Sequence, residues 1–481
     1  MKALRIIWRA FQLAFVLTGM FFAWLYSQTG VRKLVWRTFL RQRRFEPLEN
    51  PRILRRAFEA LGPTFIKLGQ VIASSPGLFP RRYSDEFAFC LDRVKPFAVP
   101  DLKQTVEGEL GQPLTTLFSA FEDRPLGSAS IAQVHAATLP DGRAVVVKVQ
   151  RPGIQNKVDA DLWWMRRGAA IAELLFKGAR LANVRGVIDD FDRTIHEEID
   201  FRLEGKNLSE FNVLMGKYGI VDVLAPTPID GMVTERVLVM TRFFGVKADD
   251  REGILKAGID PEVYLRKGLR AWLMTVALDG FFHGDAHAGN LMMLPNAIAK
   301  PDGTKAPAVG LLDFGIIGRF TTAERHHVLR YVLAFTARDY QSLADVMTEI
   351  GAVDHKIDRS RLVPDLERVY SPLIEKNLAD IKYEEVMPEI TALAYRYGIK
   401  LPSAFLLILK QLLFFDRYAK LMAPNLNVFS DFGLVDFLFG PLALKSGLDF
   451  NQLMPLLMRV QKVFAERGVP GLGPAATPKA S

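Results

Sequence analysis

Two short motifs, separated by the length of about one hairpin, constrain this chain more than any other feature of its sequence. The first is FFHGDAHAGN at residues 281–290, and the second is LLDFG at residues 311–315. Asp285 precedes Asn290 by five positions, and Asp313 follows in the second motif. This order and spacing is typical of phosphoryl-transfer machinery, in which one carboxylate orients the attacking hydroxyl group while an amide and a second carboxylate hold a metal ion.

Each residue type in these motifs suits that chemistry. Mg²⁺ takes hard oxygen ligands and keeps several waters, so Asn290 and Asp313 on a rigid loop suffice as its protein ligands. Asp285 is the candidate catalytic carboxylate, which accepts or orients the proton of the attacking group. The apolar pairs at 281–282 and 311–312 predict buried strands that carry the site.

Length, cysteine content and charge limit the class of protein. A chain of 481 residues is too long for one simple core, so two lobes with appendages are expected. The single cysteine, Cys90, excludes a disulfide framework and is expected to be a small buried hydrophobe. The net charge of +9 is concentrated in residues 1–58, which hold twelve Lys or Arg against two acidic residues. We therefore expect no nucleic-acid partner.

The N-terminal stretch is apolar and is flanked by basic residues. From residue 10 to residue 26 its only interruptions are Gln12, Thr18 and Gly19, slightly short of the ~20 residues of a spanning helix. A spanning helix, an interfacial helix with aromatic side chains at the lipid headgroups, and a buried accessory helix all stay open. A signal peptide is disfavoured because no clean small-residue cleavage site follows. The basic stretch 32–56 could hold anionic lipid headgroups or form a solvated helix face, and the charge bias favours a cytoplasmic location for the domain that follows.

The segment 120–150 is predicted to be rich in β-strands. A run of small residues at 127–130 precedes an alternating strand, and Asp141-Gly142 predicts a tight hairpin. The next strand, from Ala144 to Val149, is apolar except for Lys148. A lysine is costly to bury in a strand unless it is paired, and kinases pair such a lysine with a glutamate on a helix.

Two polar patterns on predicted helices each have two interpretations. Glu197, Asp200 and Glu204 share one face of a helical segment, as a solvated face would, but Lys148 needs a carboxylate. Lys67 and Gln70 share a helix face further upstream. From the residues alone, that pattern is more typical of an ordinary amphipathic helix than of a functional site.

Taken together, these residues resemble the UbiB/AarF family of atypical, protein-kinase-like proteins linked to ubiquinone and other prenyl-lipid metabolism. The resemblance covers residues 55–320 and, less completely, the helices to about 420. The segment 67–70 is similar to the KxGQ signature of the family, and 198–200 is similar to its ExD motif. The run 127–130 resembles the family's alanine-rich loop, although here it begins with Gly and Ser.

The resemblance implies a set of functional residues. Lys148 and Glu204 would be catalytic together with Asp285, and Asn290 and Asp313 would bind Mg²⁺. ATP would contact the small-residue loop, Lys148 and the end of a hinge strand, so the implied nucleotide-binding residues are Gly127, Ser128, Ala129, Ser130, Lys148 and Met240. The resemblance also implies a gating group, in which the KxGQ helix meets the ExD motif and blocks bulky protein substrates: Lys67, Gln70, Glu198 and Asp200.

The fold class that follows is α+β, a two-lobed protein-kinase-like fold with an N-terminal helical extension and a mostly helical C-lobe. The expected divisions are an apolar helix at 1–30, a helical extension at 31–110, an N-lobe at 111–245, a C-lobe at 246–465 and a disordered tail at 466–481. The expected function is that of an ATP- and Mg²⁺-dependent atypical kinase or ATPase that supports prenyl-lipid metabolism on the cytoplasmic face of a membrane.

Two other functions are open at this point, and so is the choice of partners. One is a nucleotide-binding regulator or scaffold with little turnover. The other is a soluble small-molecule kinase of the aminoglycoside- or choline-kinase type, because those enzymes also carry HGD followed by Asn. The expected partners are anionic membrane lipids and prenyl-lipid or quinone biosynthetic proteins, and the membrane is expected to be a bacterial inner membrane.

Overall fold

The protein forms two compact units. Its structure, a computed structural model, describes residues 2–28, 50–73, 81–87, 89–90, 94–177, 180, 183–299, 302–354, 356–375, 383–399, 423, 431–444 and 446–466. The first unit comprises the chain up to Lys206 together with Thr227–Arg242, and the second comprises Asn207–Pro226 and the chain from Phe243 onward. Each unit combines helices with a β-sheet. The predicted α+β class is therefore confirmed.

The first unit is built on an antiparallel sheet in the order β1-β3-β4-β7-β6, with β2 paired to β3. The hairpin between β3 and β4 turns at Gly142, whose φ of 89° lies in the left-handed region that favours glycine. The strands are β1 (Ala120–Phe121), β2 (Gly127–Ser128), β3 (Ala132–Thr138), β4 (Ala144–Gln150), β6 (Pro228–Val233) and β7 (Val237–Thr241).

Side chains along β4 alternate between the two faces of this sheet. Val145, Val147 and Val149 are fully buried in a core that includes Leu102 and Val106 of the helix Val99–Leu110. Because successive side chains of a strand point to opposite faces, Lys148 lies on the other face. The sheet thus supplies a dry core on one side and a polar group on the other.

The helices of the first unit pack around this sheet and beside it. They are α1 (Lys2–Gln28), α2 (Asn50–Leu61), α3 (Pro63–Ala73), α4 (Arg81–Phe87), α5 (Val99–Leu110), α6 (Leu114–Leu117), α7 (Ile154–Leu175) and α8 (Val184–Ile199). The boundary between the units falls within the next helix, α9 (Phe201–Tyr218).

The helix that bears Lys67 has its own small core. Ile66 and Ile72 of α3 pack with Phe87 and Cys90, and the burial of Cys90 confirms its predicted role as a small hydrophobe. Gly69 faces this cluster, and a Cβ atom there would lie 2.8 Å from the Phe87 ring. Only glycine therefore allows α3 to approach this closely.

The second unit contains a four-stranded sheet in the order β5-β11-β10-β8 and a separate pair, β12-β9. Its strands are β5 (Val223–Leu224), β8 (Val246–Lys247), β9 (Phe281–His283), β10 (Leu291–Ala299), β11 (Lys305–Leu311) and β12 (Ile317–Arg319). Its helices are α10 (Arg251–Lys256), α11 (Pro261–Asp279), α12 (Thr322–Thr336), α13 (Tyr340–Glu349), α14 (Arg359–Glu375), α15 (Tyr383–Tyr397), α16 (Pro441–Leu444) and α17 (Phe450–Glu466).

Helix α11 delivers the chain into the first motif. It begins at the N-cap Asp260, whose side chain accepts a hydrogen bond from the backbone N–H of Glu262, and it ends at Gly280 with a φ of 70°. Trp272 and Phe282 belong to the same buried cluster, so the helix and β9 share a core. The motif therefore starts from a fixed point.

Several sequence-based predictions concern residues outside the described part of the chain. They are the part of the basic stretch 32–56 that precedes residue 50, the part of the predicted C-lobe helices at 404–413, and the part of the predicted tail that follows residue 466. These stay predictions.

Candidate functional site

A buried ion pair occupies the polar face of the sheet in the first unit. The Nζ atom of Lys148 lies 2.8 Å from both carboxylate oxygens of Glu204, whose side chain is 2% exposed. Glu204 sits in the first turn of α9, where the helix dipole favours a negative charge. The Phe201 ring lies 5.2 Å from the same Nζ atom and shields the pair. The predicted pairing of the strand lysine with a helix glutamate is confirmed.

The small-residue loop is held by a side chain that the sequence analysis did not single out. Arg151 donates to the carbonyl of Ala129 at 3.0 Å and to the hydroxyl of Ser128 at 2.9 Å. Ser130 is fully buried, whereas Gly127 is exposed with open space around it. The loop is thus held at Ser128 and Ala129 by Arg151, while Gly127 pairs with β3 and leaves open space on its exposed side.

Met240 lies in the same sheet as Lys148. It is buried at the end of β7, opposite Val146 of β4 in the strand register. An apolar side chain at this position suits contact with a flat base, and the family resemblance implies that Met240 is one of the nucleotide-binding residues.

Two of the four predicted gating residues form an ion pair between two helices. Lys67 of α3 pairs with Glu198 near the end of α8, and both side chains are largely buried. The carbonyl of the next residue, Ile199, accepts a 2.7 Å hydrogen bond from Gln150 at the end of β4. The end of α8 is thereby tied both to α3 and to the strand that carries Lys148. Gln70 lies on α3 and is partly buried.

Asp200 has a partner that the sequence analysis did not identify. The Arg202 guanidinium donates to its two carboxylate oxygens at 2.9 and 2.7 Å. These hydrogen bonds from the Arg202 side chain hold the pKa of Asp200 below its ordinary value. The two acidic residues of the ExD motif therefore have different surroundings: Glu198 contacts a residue of α3, and Asp200 contacts its own neighbour in sequence.

In the second unit, the first motif begins on a buried strand. Phe281, Phe282 and His283 form β9, and Phe282 pairs with Gly318 of β12. Burial lowers the pKa of His283, so its ring is neutral near pH 7. Its Nδ1 atom accepts a 3.0 Å hydrogen bond from the backbone N–H of Asp285, which fixes the start of the loop.

The loop that follows is closed on itself by main-chain contacts. The side-chain amide of Asn290 donates to the carbonyl of Asp285 at 3.1 Å. The same carbonyl accepts from the backbone N–H of His287 at 2.8 Å, and the His287 ring nitrogen lies 3.9 Å from the Asp285 carboxylate. Because Asn290 uses its nitrogen in this contact, its amide oxygen is directed elsewhere and is suited to be a metal ligand.

The β10-β11 hairpin brings the two motifs to one place. Leu291 pairs with Leu311 at its base, and the N–H of Leu312 donates to the carbonyl of Asn290 at 2.9 Å. Asp313 follows at once, and its carboxylate accepts a 2.9 Å bond from the N–H of Gly315. Asn290 and Asp313 therefore flank the same end of one hairpin.

Phe314 anchors the second motif in the core. It is fully buried, and its ring lies 5.0 Å from the rings of both Phe211 and His283. Its carbonyl accepts a 3.1 Å hydrogen bond from Asn207. The contacts on either side of Asp313 leave its backbone little freedom.

The donor set at the hairpin fits magnesium better than a transition metal. Within the described residues, no three or more His, Cys, Asp or Glu side chains are grouped so that they could hold a metal ion. One carboxylate and one amide oxygen on a rigid turn match Mg²⁺, which keeps waters and takes further ligands from phosphates. A structural zinc site would need four nitrogen or sulfur ligands.

The sequence analysis missed several supporting residues, and their signals differ. His283 and His287 stand inside the motif, so their positions could have been noticed. Arg151 follows β4 directly and Arg202 lies between Asp200 and Glu204, but neither has a pattern that marks it. Their roles depend on contacts that only the folded chain supplies.

Comparison with protein families gives two matches. Residues 90–347 match the ABC1 atypical kinase-like domain. Residues 366–427 match the UbiB helical domain.

Known proteins are similar over most of the chain. An uncharacterized protein of Mycobacterium tuberculosis is 39% identical over 385 residues, which are 79% of this chain and 76% of that protein. An uncharacterized chloroplastic aarF domain-containing protein kinase of Arabidopsis thaliana is 33% identical, over 80% of this chain and 74% of its own length. The probable protein kinase UbiB of Xanthomonas campestris is 33% identical, over 78% of this chain and 68% of its own length.

Among solved structures, the complex of Rv3197 with erythromycin from Mycobacterium tuberculosis is similar, with a TM-score of 0.49 and 23% identity. The similarity covers 76% of this chain and 93% of that chain.

Proposed function

The chain belongs to the ABC1/UbiB family of atypical kinase-like proteins, and we propose that it is an ATP- and Mg²⁺-dependent phosphotransferase or ATPase. The observation that carries this proposal is the end of the β10-β11 hairpin, which Asn290 and Asp313 flank next to the loop of Asp285. A carboxylate and an amide held by main-chain bonds form a preorganised site, and preorganisation is the main requirement of phosphoryl transfer.

Each residue of the second unit has one task in this proposal. Asn290 and Asp313 bind Mg²⁺, which neutralises charge on the nucleotide phosphates. Asp285 orients a hydroxyl group or water and accepts its proton. His283 keeps the Asp285 backbone in place through its neutral Nδ1 atom. The second unit thus contributes the metal ligands and the catalytic carboxylate.

The first unit contributes nucleotide contacts. Lys148 binds the α- and β-phosphates and Glu204 orients its ammonium group, as their 2.8 Å contacts support. The backbone of the loop 127–130 approaches the phosphates, and Met240 contacts the adenine ring. Arg151 positions the loop without touching the nucleotide.

The Lys67–Glu198 pair acts as a gate in this account. It ties α3 to the end of α8, and Gln70 and Asp200 lie on the two segments that it joins. The same observation favours a second candidate function, a nucleotide-binding regulator with little turnover, because a stable ion pair could keep the gate closed. Turnover by the purified protein separates the two functions.

The substrate class and location follow the family and the N-terminal helix. Helix α1 contains a 22-residue stretch, Leu4–Leu25, that is long and apolar enough to cross a membrane, with a mean hydropathy of 1.6. We propose that the protein works at the cytoplasmic face of a bacterial inner membrane with anionic lipids. Its partners in this proposal are proteins of quinone or other prenyl-lipid biosynthesis.

The proposed function is tested by measuring MgATP hydrolysis by the wild-type protein and by Asp313→Asn. The matched control is Asp302→Asn, which changes an exposed aspartate in the same hairpin that contacts only its neighbour Thr304 among the described side chains. We expect hydrolysis to vanish in Asp313→Asn and to persist in the control. Nucleotide binding without hydrolysis in the wild type would favour the regulator, and equal hydrolysis in all three proteins would contradict the site.

A further inference from the structure

Helix α1 has two faces of different character. One face is partly or fully buried and recurs every three to four residues, as one side of an α-helix does. It contacts α2 and α7. Its residues are Ile6, Arg9, Ala10, Leu13, Val16, Met20 and Ala23. Because the pattern runs from residue 6 to residue 23, the helix lies along the surface of the first unit over most of its length.

The opposite face is apolar and exposed. Phe15 is 81% exposed, and Phe11 and Trp8 are each 66% exposed. Other large apolar side chains on this exposed surface are Leu4, Ile7, Leu17, Phe21, Phe22, Trp24 and Leu25. The helix contains no acidic residue. An exposed stripe of this size marks an interaction surface rather than ordinary surface variation.

The docked face is held by a buried charge pair. Arg9 and Asp161 are 6% and 0% exposed, and they form an ion pair between α1 and α7. Arg9 also donates to the carbonyl of Leu61 at 2.6 Å, which satisfies the last residue of α2. Trp164 donates to the carbonyl of Ile6 at 3.1 Å. Releasing α1 would leave Asp161 buried without its partner among these contacts, so the docked position is strongly favoured.

A docked α1 is not suited to cross a bilayer. The helices that cover its buried face carry Arg52 and Arg56 on α2 and Asn156 and Lys157 on α7. If α1 crossed the membrane in this position, it would draw these groups into hydrocarbon, where charged groups are costly. A helix that lies in the membrane plane avoids this cost, because only its exposed face enters the lipid.

The chemistry of the exposed face of α1 indicates that this face contacts the surface of a lipid bilayer. Trp8 and Trp24 stand near the two ends of the apolar stretch, and tryptophan is enriched at membrane interfaces. The following segment, 29–49, carries six Lys or Arg against two Glu, which complements anionic headgroups. A protein partner would not require this combination of continuous aromatic exposure and adjacent positive charge.

An apolar cavity adds to this surface. It has a volume of about 270 Å³ and lies between the second half of α1 and the helices α2 and α4. Its lining residues are Met20, Phe21, Trp24, Asn50, Ile53, Leu54 and Tyr83. Most of this lining is apolar, which suits a hydrocarbon chain, and Phe21 and Trp24 belong to both the cavity and the exposed surface.

We propose that α1 is an in-plane membrane helix, whose exposed face inserts into one leaflet of an anionic bilayer while its other face stays docked on α2 and α7. This inference deepens the membrane association proposed above and rests on it, but it does not depend on phosphoryl transfer. The apolar stretch of 22 residues would then lie along about 33 Å of the bilayer surface.

The first test is flotation of the full-length protein with vesicles of phosphatidylglycerol and phosphatidylcholine. Phe11→Glu/Phe15→Glu should lower the floated fraction at least tenfold, because two charges enter the inserted face. The matched control is Val213→Glu/Leu255→Glu, which changes two exposed apolar residues of the second unit and should float like the wild type. Equal flotation of all three proteins would overturn the proposal.

The second test separates an in-plane helix from a spanning one. Spin labels at Leu4→Cys, Phe15→Cys and Leu25→Cys should report similar shallow depths in the bilayer. A deep label at position 15 with shallow labels at 4 and 25 would show a spanning helix and overturn the proposal. A cross-link tests the docked state directly. Joining Arg5→Cys to Asn156→Cys with a short bismaleimide fixes α1 on α7, and the cross-linked protein should still float with the vesicles. Loss of flotation after cross-linking would also overturn the proposal.

Nucleotide binding is measured on the same variants without lipid. Phe11→Glu/Phe15→Glu should bind MgATP as the wild type does, because neither residue belongs to the nucleotide site. If this variant loses flotation but binds MgATP normally, the loss is due to the changed face of α1 and not to a damaged nucleotide site. Absence of nucleotide binding in the wild type would instead reject the proposed function and leave the membrane result intact.

Discussion

The two units hold their candidate site residues in different ways. In the first unit, the key contacts are ion pairs between side chains from distant parts of the chain, such as Lys148 with Glu204 and Lys67 with Glu198. In the second unit, the backbone around Asp285 and Asn290 is fixed by hydrogen bonds within one loop and one hairpin. The ion pairs of the first unit respond to other charges, such as the phosphates of a nucleotide. The loop of Asp285 and Asn290 is held by hydrogen bonds to its own backbone and therefore stays in position.

The difference suggests a division of labour. The first unit presents Lys148, whose ammonium group Glu204 holds in place and whose three N–H donors allow it to bind phosphate oxygens as well, so it is suited to capture the nucleotide. The second unit presents a carboxylate, an amide and a second carboxylate in positions that need little rearrangement, so it is suited to the chemical step. The predictions below test this contrast, beginning with the largest expected effect.

Asp285→Asn should separate binding from turnover. The substitution keeps the size and the backbone contacts of the residue but removes its ability to accept a proton, so the rate of hydrolysis should fall about 10²–10⁴-fold. Affinity for MgATP should be unchanged, because the proposed metal ligands Asn290 and Asp313 remain. Parallel measurements of kcat and of nucleotide affinity check this. A variant with normal turnover would remove Asp285 from its catalytic role.

Glu204→Leu should destabilise the first unit strongly. Removal of the Glu204 carboxylate takes away a charge partner of the largely buried Lys148 ammonium group, which costs about 3–5 kcal/mol of unfolding free energy. The double substitution Lys148→Met/Glu204→Leu should recover most of this loss, since it removes both charges. Urea unfolding of the wild type, the two single variants and the double variant measures the coupling. Additive effects would show that the two side chains do not depend on each other.

Gly318→Ala should destabilise the strand pair that carries the catalytic loop. A Cβ atom at Gly318 would overlap the Phe282 ring, and overpacking of this kind costs about 1–3 kcal/mol. The matched control is Gly127→Ala in the first unit, where no atom lies within 4 Å of the added Cβ atom. Thermal unfolding should distinguish them, and equal midpoints would contradict the tight packing behind β9.

The first unit should lose stability as the pH is lowered below neutral, because of His135. This residue is fully buried in the sheet, and burial lowers its pKa from the ordinary value of 6.5. The unfolded chain therefore binds a proton that the folded chain does not, and stability is lost as pH falls below 6.5, by at most about 1.4 kcal/mol per pH unit.

The urea midpoint measured at pH 7.5 and pH 5.5 checks this prediction, with His135→Gln as the comparison. The variant should lose less stability over this interval than the wild type. An equal loss in both proteins would show that the proton is taken up elsewhere.

The sequence predicted the site better than it predicted the contacts that support it. The motifs around Asp285 and Asp313 are local, so their residue types and spacing were visible without a fold. The pairing of Lys148 with Glu204 spans 56 positions, yet a buried lysine must have a partner and the acidic helix supplied one. Physical necessity therefore pointed to the acidic segment, and the resemblance to the UbiB/AarF family singled out Glu204 within it.

Other contacts had no such signal. Arg9 and Asp161 are 152 positions apart. In the sequence Arg9 is only a basic residue at the start of an apolar helix, whereas in the fold it is buried. The sequence left a spanning, an interfacial and a buried helix open, because periodicity alone does not show which face is covered. Arg151 and Arg202 likewise acquire their partners from loop geometry that residue spacing does not encode.

The most direct test of the central claim is a titration of ATP hydrolysis with free Mg²⁺ in the wild type and in Asn290→Ala. The control is Asn296→Ala, which changes an exposed residue of β10 in the same hairpin. If the end of the hairpin binds the metal, the Mg²⁺ midpoint should rise about tenfold or more in Asn290→Ala and stay unchanged in the control. An unchanged midpoint in Asn290→Ala would contradict the account.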